Sequence, residues 1–161
     1  MTLTITKAVR VTRPFSVAAS IWLLMILGVS AVAGGTALVF GRLEEGMVPP
    51  TEWLDDLPLV DSWLVPGLVL GIGFGLGSLL AAYGIWRRPR WSWASFIETP
   101  TGHHWSWLAT MLIGFGQATW IGLEVAFLPE MSWLMAFYGP LGLVLFLLPW
   151  TRSMREHLRV R

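Results

Sequence analysis

Long runs without an acidic, basic or histidine residue are the feature of this sequence that most constrains its fold. They span 28, 25, 19 and 21 residues, between Arg13 and Arg42, Asp61 and Arg87, His104 and Glu124, and Glu130 and Arg152. About 20 apolar residues in a helix cross a bilayer core. The sequence therefore predicts an all-α fold, a four-transmembrane-helix bundle. Residues 1–161 are expected to form one membrane domain, with spans at about 14–40, 66–86, 105–128 and 132–150.

The composition excludes several other classes of protein. Only 13% of the residues are charged, whereas soluble domains carry about 25%, so a soluble or disordered chain is excluded. Cysteine is absent, which excludes a disulfide scaffold and a thiolate metal site. The first run is longer than the roughly 7–15 residues of a signal-peptide core, so we expect it to remain as a helix.

The charges between the runs predict how the chain crosses the membrane. If all four runs span, ten of the eleven basic residues fall on one side, and only Arg42 falls on the other. The 41–63 loop carries six acidic residues. Because basic residues accumulate on the cytoplasmic side, both termini and the 87–104 loop are expected to be cytoplasmic. The 41–63 loop and the turn at Pro129 are expected to face outward.

Glycines in the second span predict where it packs. On a helical wheel of 100° per residue, small residues form two stripes about 130° apart. The first contains Gly67, Gly71, Gly75, Ser78 and Ala82, and the second contains Gly73, Gly77, Ala81 and Gly84. Small residues allow transmembrane backbones to approach closely. The two stripes predict that this helix packs on two neighbouring helices.

The third span carries a polar stripe, which is the main candidate for a functional site. His103, Thr110, Gln117 and Glu124 are seven residues apart, so they share one face of a helix. Lipid cannot satisfy such groups, and the stripe is therefore expected to face the bundle interior. Tyr138 in the fourth span is expected to donate a hydrogen bond to Glu124. A structural role and a ligand-binding role for Glu124 both remain open.

No catalytic, metal-binding or cofactor-binding pattern emerges from the remaining residues. His103 and His104 are adjacent, so on a helix their side chains point about 100° apart and do not favour one shared metal. The chain is tryptophan-rich, with eleven tryptophans, and most lie at predicted span ends, as in the aromatic belts of membrane proteins. The loop from Arg87 to Gly102 is expected to lie on the membrane surface.

Two boundary segments resemble a known group of proteins. The second span ends in Ala-Ala-Tyr-Gly-Ile-Trp-Arg-Arg-Pro-Arg-Trp-Ser-Trp, residues 81–93, and the fourth ends in Leu-Leu-Pro-Trp-Thr-Arg, residues 147–152. In these segments the chain resembles small bacterial four-helix integral membrane proteins of the DoxX-like group. The resemblance implies a multi-pass protein of the bacterial plasma membrane. The insert at 94–102 departs from the usual short loop, and no residue matches the redox motif of some DoxX relatives.

Three functions remain open on this basis. The first is a non-enzymatic accessory or assembly subunit of a membrane complex, with a protein partner or a second copy of the chain. The second is a small-molecule or proton-coupled carrier that uses the polar stripe. The third is a membrane enzyme that acts on a lipid or quinone through His103 and Glu124. Each requires the bilayer as a partner, and none involves nucleic acid.

Overall fold

The computed structural model describes residues 13–40, 62–127 and 132–160. Within these ranges the chain forms helices and no strand: α1 Phe15–Phe40, α2 Leu64–Arg87, α3 Ser95–Thr101, α4 Trp105–Phe127, α5 Trp133–Trp150 and α6 Arg152–His157. Four of them, α1, α2, α4 and α5, are long and apolar enough to cross a membrane. The predicted all-α fold with four membrane-length helices is therefore confirmed.

The helix ends lie close to the predicted ones and have local causes. Helix α2 begins two residues earlier than predicted and ends where Arg88 adopts a left-handed conformation, with a φ of 48°. Helix α5 begins after Ser132, whose hydroxyl oxygen accepts a hydrogen bond from the N–H of Leu134 at 3.1 Å, as expected for a capping residue. Residues 41–61 of the predicted 41–63 loop, and the predicted turn at 128–131, lie outside the described residues.

Helix α2 changes its winding in the middle, which the sequence analysis did not predict. Residues Val69–Leu76 form a π-helix, flanked by α-helical turns on both sides. Glycines lie at 71, 73 and 75 in this stretch. They hold an α-helical backbone weakly, so wider i→i+5 winding costs little here.

Helices α1 and α2 pack closely against each other through the first glycine stripe. A methyl group on Gly75 would lie 2.7 Å from Val32 Cγ2, and one on Gly67 would lie 2.9 Å from Val39 Cγ2. Gly71 packs against Gly35, where an added Cβ would meet the Gly35 Cα at 3.6 Å. The small residues of this stripe thus lie at a helix–helix contact.

The second predicted stripe packs closely on α4 only in its Gly84 half. A Cβ on Gly84 would lie 2.7 Å from Ser106 Cβ, and Ala81 is fully buried. Packing is loose at Gly77, where an added Cβ would lie 4.0 Å from Ile113 Cδ1 of α4. Gly73 is exposed, and a Cβ there would meet only Val69 of its own helix, at 4.0 Å, so the predicted contact at Gly73 is wrong.

Helices α4 and α5 form the second tight pair, and the two pairs meet mainly at one end. The shared core there contains Leu24 of α1, Ile85 of α2 and Leu145 of α5, all fully buried. Contacts between α2 and α4 come mostly from the Gly77–Arg87 half of α2, and few involve Val69–Leu76. The fold is thus two helical hairpins that contact each other most at the end that carries residues 13 and 160 and less toward the opposite end, where Phe74 of α2 still packs against Trp120 of α4.

Candidate functional site

The polar stripe of α4 faces protein from Ser106 to Gln117. Ser106 and Thr110 are fully buried, and Gln117 is 2% exposed. The Thr110 hydroxyl donates to the carbonyl oxygen of Ser106 at 2.7 Å, so its hydrogen bond is made within its own helix. This part of the stripe is buried against protein, with Ser106 beside Gly84 of α2 and Gln117 beside Gly142 of α5.

Gln117 lies at a close contact between α4 and α5. A Cβ on Gly142 would lie 3.2 Å from the Cβ of Gln117 and 2.8 Å from the amide nitrogen of Ala118. The Oε1 atom of Gln117 is buried and accepts no hydrogen bond from any described residue. The side chain therefore fills a helix–helix contact with one polar atom left unsatisfied.

Replacement of Gln117 by leucine should keep the fold and raise its stability by about 1 kcal/mol, because leucine has a similar size and removes the unsatisfied oxygen. Thermal unfolding of the purified protein in mild detergent would measure this. Gln117→Asn is the matched control, since it keeps an amide but shortens the side chain, and it should be destabilising. A leucine variant that unfolds at a lower temperature than Gln117→Asn would contradict this packing role.

Glu124 is held by a different residue from the one predicted. The indole N–H of Trp120 donates to Glu124 Oε1 at 2.6 Å, one turn earlier in the same helix. Tyr138, the predicted donor, instead packs edge-on against Phe137, with 5.0 Å between ring centres. The expectation of a Tyr138–Glu124 hydrogen bond is therefore wrong, because an i, i+4 neighbour satisfies the carboxylate locally.

His103 does not belong to the polar stripe, because α4 begins two residues after it. It lies in a short antiparallel bridge with Arg159. Its Nδ1 is 2.6 Å from the carbonyl oxygen of Thr101, and its ring stacks on Trp107 at 4.8 Å. The predicted placement of His103 on the helical face with Thr110 and Gln117 is wrong.

His104 is the buried histidine at this end of the bundle, and the sequence analysis assigned it no role. Its Nε2 donates to the carbonyl oxygen of Pro89 at 3.0 Å, and its Nδ1 accepts from the Ser106 hydroxyl at 2.8 Å. Glu98 Oε1 lies 3.8 Å from the Nε2 and accepts from the backbone N–H of Trp105 at 3.3 Å. His104 therefore connects the 88–104 segment to α4. Among the described residues, no group of three His, Cys, Asp or Glu side chains is arranged to hold a metal ion.

Aromatic rings pack together beside His104. Trp91 stacks on Trp105, with 5.1 Å between ring centres and 11° between ring planes, and Trp93 lies 5.4 Å from Trp91. Trp93 and Phe96 are mostly exposed, whereas Trp105 is 4% exposed. The 91–105 segment thus presents an aromatic surface at the ends of α2 and α4.

The residues that follow α5 fold back across the same end of the bundle. Met154 and Leu158 are fully buried in the shared core. The backbone N–H of His104 donates to the Leu158 carbonyl at 2.7 Å, and the N–H of Val160 donates to the Gly102 carbonyl at 3.1 Å. This segment, residues 151–160, is called the tail below, and it covers the joined end of the two hairpins.

An open groove of about 1110 Å³ lies between the tail and the end of α2. Its charged lining comprises four arginines and two glutamates: Arg87, Arg88, Arg90, Arg159, Glu98 and Glu156. We call it the arginine groove. A smaller groove of about 470 Å³ lies on the other side of the tail and is lined by Arg152 and Arg155 among others. Neither groove is lined by Gln117 or Glu124, so the concave basic sites and the polar stripe are separate.

His157 connects the tail to α2 and is expected to make the fold sensitive to acid. Its Nε2 donates to the Ile85 carbonyl at 3.3 Å, and Arg88 donates to the His157 carbonyl at 3.0 Å. Burial lowers the pKa of His157, and the positive charges of Arg88 and Arg13 lower this pKa further, while the hydrogen bond to Ile85 partly opposes them. The folded state therefore binds a proton at His157 less readily than the unfolded state does.

Stability should consequently fall as the pH drops below about 6.5, the ordinary pKa of histidine. Unfolding temperatures measured at pH values between about 7.5 and 5 would test this. His157→Asn should flatten the pH dependence, because asparagine keeps a hydrogen-bond donor and does not titrate in this range. An unchanged pH dependence in that variant would assign the effect to other groups.

No protein-family model matches this chain, and no curated protein or solved structure matches it either.

Proposed function

We propose that this protein is a non-enzymatic accessory or assembly subunit of a larger membrane complex in the bacterial plasma membrane. One observation carries the proposal: contacts between the two hairpins become sparse toward one end, where the Val69–Leu76 half of α2 meets α4 at few residues, among them Phe74. A transmembrane helix of a partner protein would complete the contacts there. The resemblance of residues 81–93 and 147–152 to DoxX-like proteins supports the bacterial plasma membrane.

The residues at this opening suit a helical partner. Phe74 of α2 and Trp120 of α4 touch edge to face across it, with 6.1 Å between ring centres. Gly73 is exposed nearby on α2, and small residues let another backbone approach closely. Glu124, half-buried and bonded to Trp120, provides a carboxylate to which a polar group of the partner can bind.

The tight packing of α4 on α5 supports a subunit role over a carrier role. A carrier that used the polar stripe as its path would have to separate these helices at Gly114 and Gln117, where backbones touch. An enzyme that acted through His103 and Glu124 would have to join two groups at opposite ends of α4, about 30 Å apart at 1.5 Å per residue.

A photo-crosslinking amino acid placed on two faces of α4 tests the proposal in living cells. Phe127 lies seven residues after Trp120, on the same face, and is 42% exposed. Phe115 is 59% exposed but lies beside Phe146 of α5, and it is the matched control. A p-benzoylphenylalanine at 127 should form a discrete protein adduct that the same residue at 115 does not form.

The mass of the adduct identifies the partner class, since a second copy adds 18.0 kDa. Glu124→Leu should weaken the adduct formed from position 127. Lipid adducts alone at both positions would refute the subunit role.

Both termini are proposed to be cytoplasmic, on the basis of the charge distribution. Single cysteines at Ser62 and Arg155, both exposed and near opposite ends of the bundle, give a clean test because the chain contains no native cysteine. An impermeant thiol reagent added to intact cells should label Ser62→Cys and should not label Arg155→Cys. The reverse pattern would invert the orientation.

A further inference from the structure

We propose that the arginine groove is a binding site for a phosphate group, carried either by the headgroup of an anionic phospholipid or by a soluble phosphate ester. The proposal does not rest on the subunit role, because the groove lies at the opposite end of α4 from Glu124. It rests on the unbalanced charge of the groove, on its shape and on the aromatic residues beside it.

The carboxylates that line the arginine groove are already engaged by other groups. Glu156 Oε1 accepts from Arg152 Nε at 2.7 Å, and Arg152 does not line this groove. Glu98 Oε1 is turned toward the Trp105 N–H and His104. Within the part of the chain that the structure describes, Arg87, Arg90 and Arg159 form no ion pair with a carboxylate. These three arginines therefore line the groove without a carboxylate partner among the described residues.

Arginine suits phosphate in particular. The planar guanidinium group offers paired N–H donors that match two oxygens of a phosphate. The position of Arg88 is set by its left-handed backbone and by its bond to the His157 carbonyl. Arg87 and Arg90 lie on either side of Arg88 in the sequence, with exposed side chains, and Arg159 approaches from the tail. Side chains from two different chain segments thus surround the same space of about 1110 Å³.

The surroundings place this groove at the depth of lipid headgroups. Trp86 is 50% exposed, and the guanidinium of Arg87 lies 5.0 Å from its ring centre. The exposed rings of Trp93 and Phe96 follow on the same connecting segment. Tryptophan concentrates at the membrane–water interface, where the phosphates of a bilayer lie, and basic pockets beside transmembrane helices bind anionic headgroups.

Native mass spectrometry of the purified full-length chain tests the proposal, with phosphatidylglycerol and phosphatidylcholine as lipid probes and glycerol 3-phosphate as the soluble probe. The variant is Arg87→Gln/Arg90→Gln. The charge-matched control is Arg13→Gln/Arg155→Gln, which removes two exposed arginines that do not line the arginine groove. All four positions are exposed, and unchanged unfolding temperatures would verify that both variants fold.

Phosphatidylglycerol should bind more tightly than phosphatidylcholine, and the Arg87→Gln/Arg90→Gln variant should lose about tenfold of that affinity while the control keeps most of it. Competition by glycerol 3-phosphate at similar concentrations would support the phosphate site and assign it to a soluble ester. If both variants lost the same affinity for phosphatidylglycerol, general charge attraction would explain the binding, and the proposal would be overturned. Equal binding of the two lipids, with no binding of glycerol 3-phosphate, would overturn it as well.

Discussion

Alanine at Gly114 is expected to destabilise this protein by more than about 3 kcal/mol, and valine at this position is expected to prevent folding. A Cβ on Gly114 would press on the backbone nitrogen of Phe146 and would lie 2.7 Å from the carbonyl carbon of Leu145. These are backbone atoms of α5, which cannot rotate away as a side chain can. The helices α4 and α5 would have to separate, and the burial of Gln117 against Gly142 would be lost with them.

Unfolding temperature and folded yield in mild detergent would measure this effect. Gly122→Ala is the matched control in the same helix, because a Cβ there would meet nothing within 4 Å. It should be neutral or stabilising by about 0.5–1 kcal/mol, since alanine holds a helix better than glycine does. Similar stability of the two alanine variants would mean that α4 and α5 do not pack as described.

Leu158→Ala is the second substitution for which we expect a large effect, a loss of about 2–5 kcal/mol. Leu158 is fully buried together with Met154, although both lie beyond the last membrane-length helix. Truncation would leave a cavity beneath the backbone hydrogen bond from His104 to Leu158. We expect the tail to detach and the 102–104 segment to lose its partner.

Limited proteolysis combined with thermal unfolding would detect this detachment. The arginines of the tail are trypsin sites, so Leu158→Ala should be cleaved there faster than the wild-type chain. Val160→Ala removes a side chain that is 41% exposed and should change neither property. A Leu158→Ala variant as stable and as resistant as Val160→Ala would place the tail outside the core.

The extents of the long helices were predictable because the thickness of a bilayer sets the length of an apolar run. Helix α4 begins at Trp105 as predicted, and α1 differs from its prediction by one residue at its start. The first glycine stripe was also predictable, because Gly67, before the π-helical stretch, and Gly71 and Gly75, within it, all lie on the face that meets α1. The exposure of Gly73 was not predictable, since it depends on how α4 lies against α2, which a pattern within one helix does not contain.

The placement of the candidate site residues depended on turns and long-range contacts, which the spacing of residues along one helix does not show. The spacing of seven placed His103 on the helical face, but Gly102, with a φ of 65°, turns the chain between α3 and α4 and keeps His103 outside the helix. The hydrogen bond from Trp120 to Glu124 could have been predicted, because Trp120 lies four residues earlier on the same helix. The arginine groove was harder to predict from the sequence, because it brings residues 87–90 together with residue 159, which is about 70 positions away along the chain.

The tail also sets an order for the biosynthesis of this protein. Met154 and Leu158 complete the core that the two hairpins share in the described part of the chain, and a ribosome makes them after all four membrane-length helices. Until then, α1 with α2 and α4 with α5 can pair through their own glycine contacts, yet the joint between the pairs lacks its buried residues. The two hairpins should therefore enter the membrane as separately formed units, and their association should be a late step that follows synthesis of residue 158.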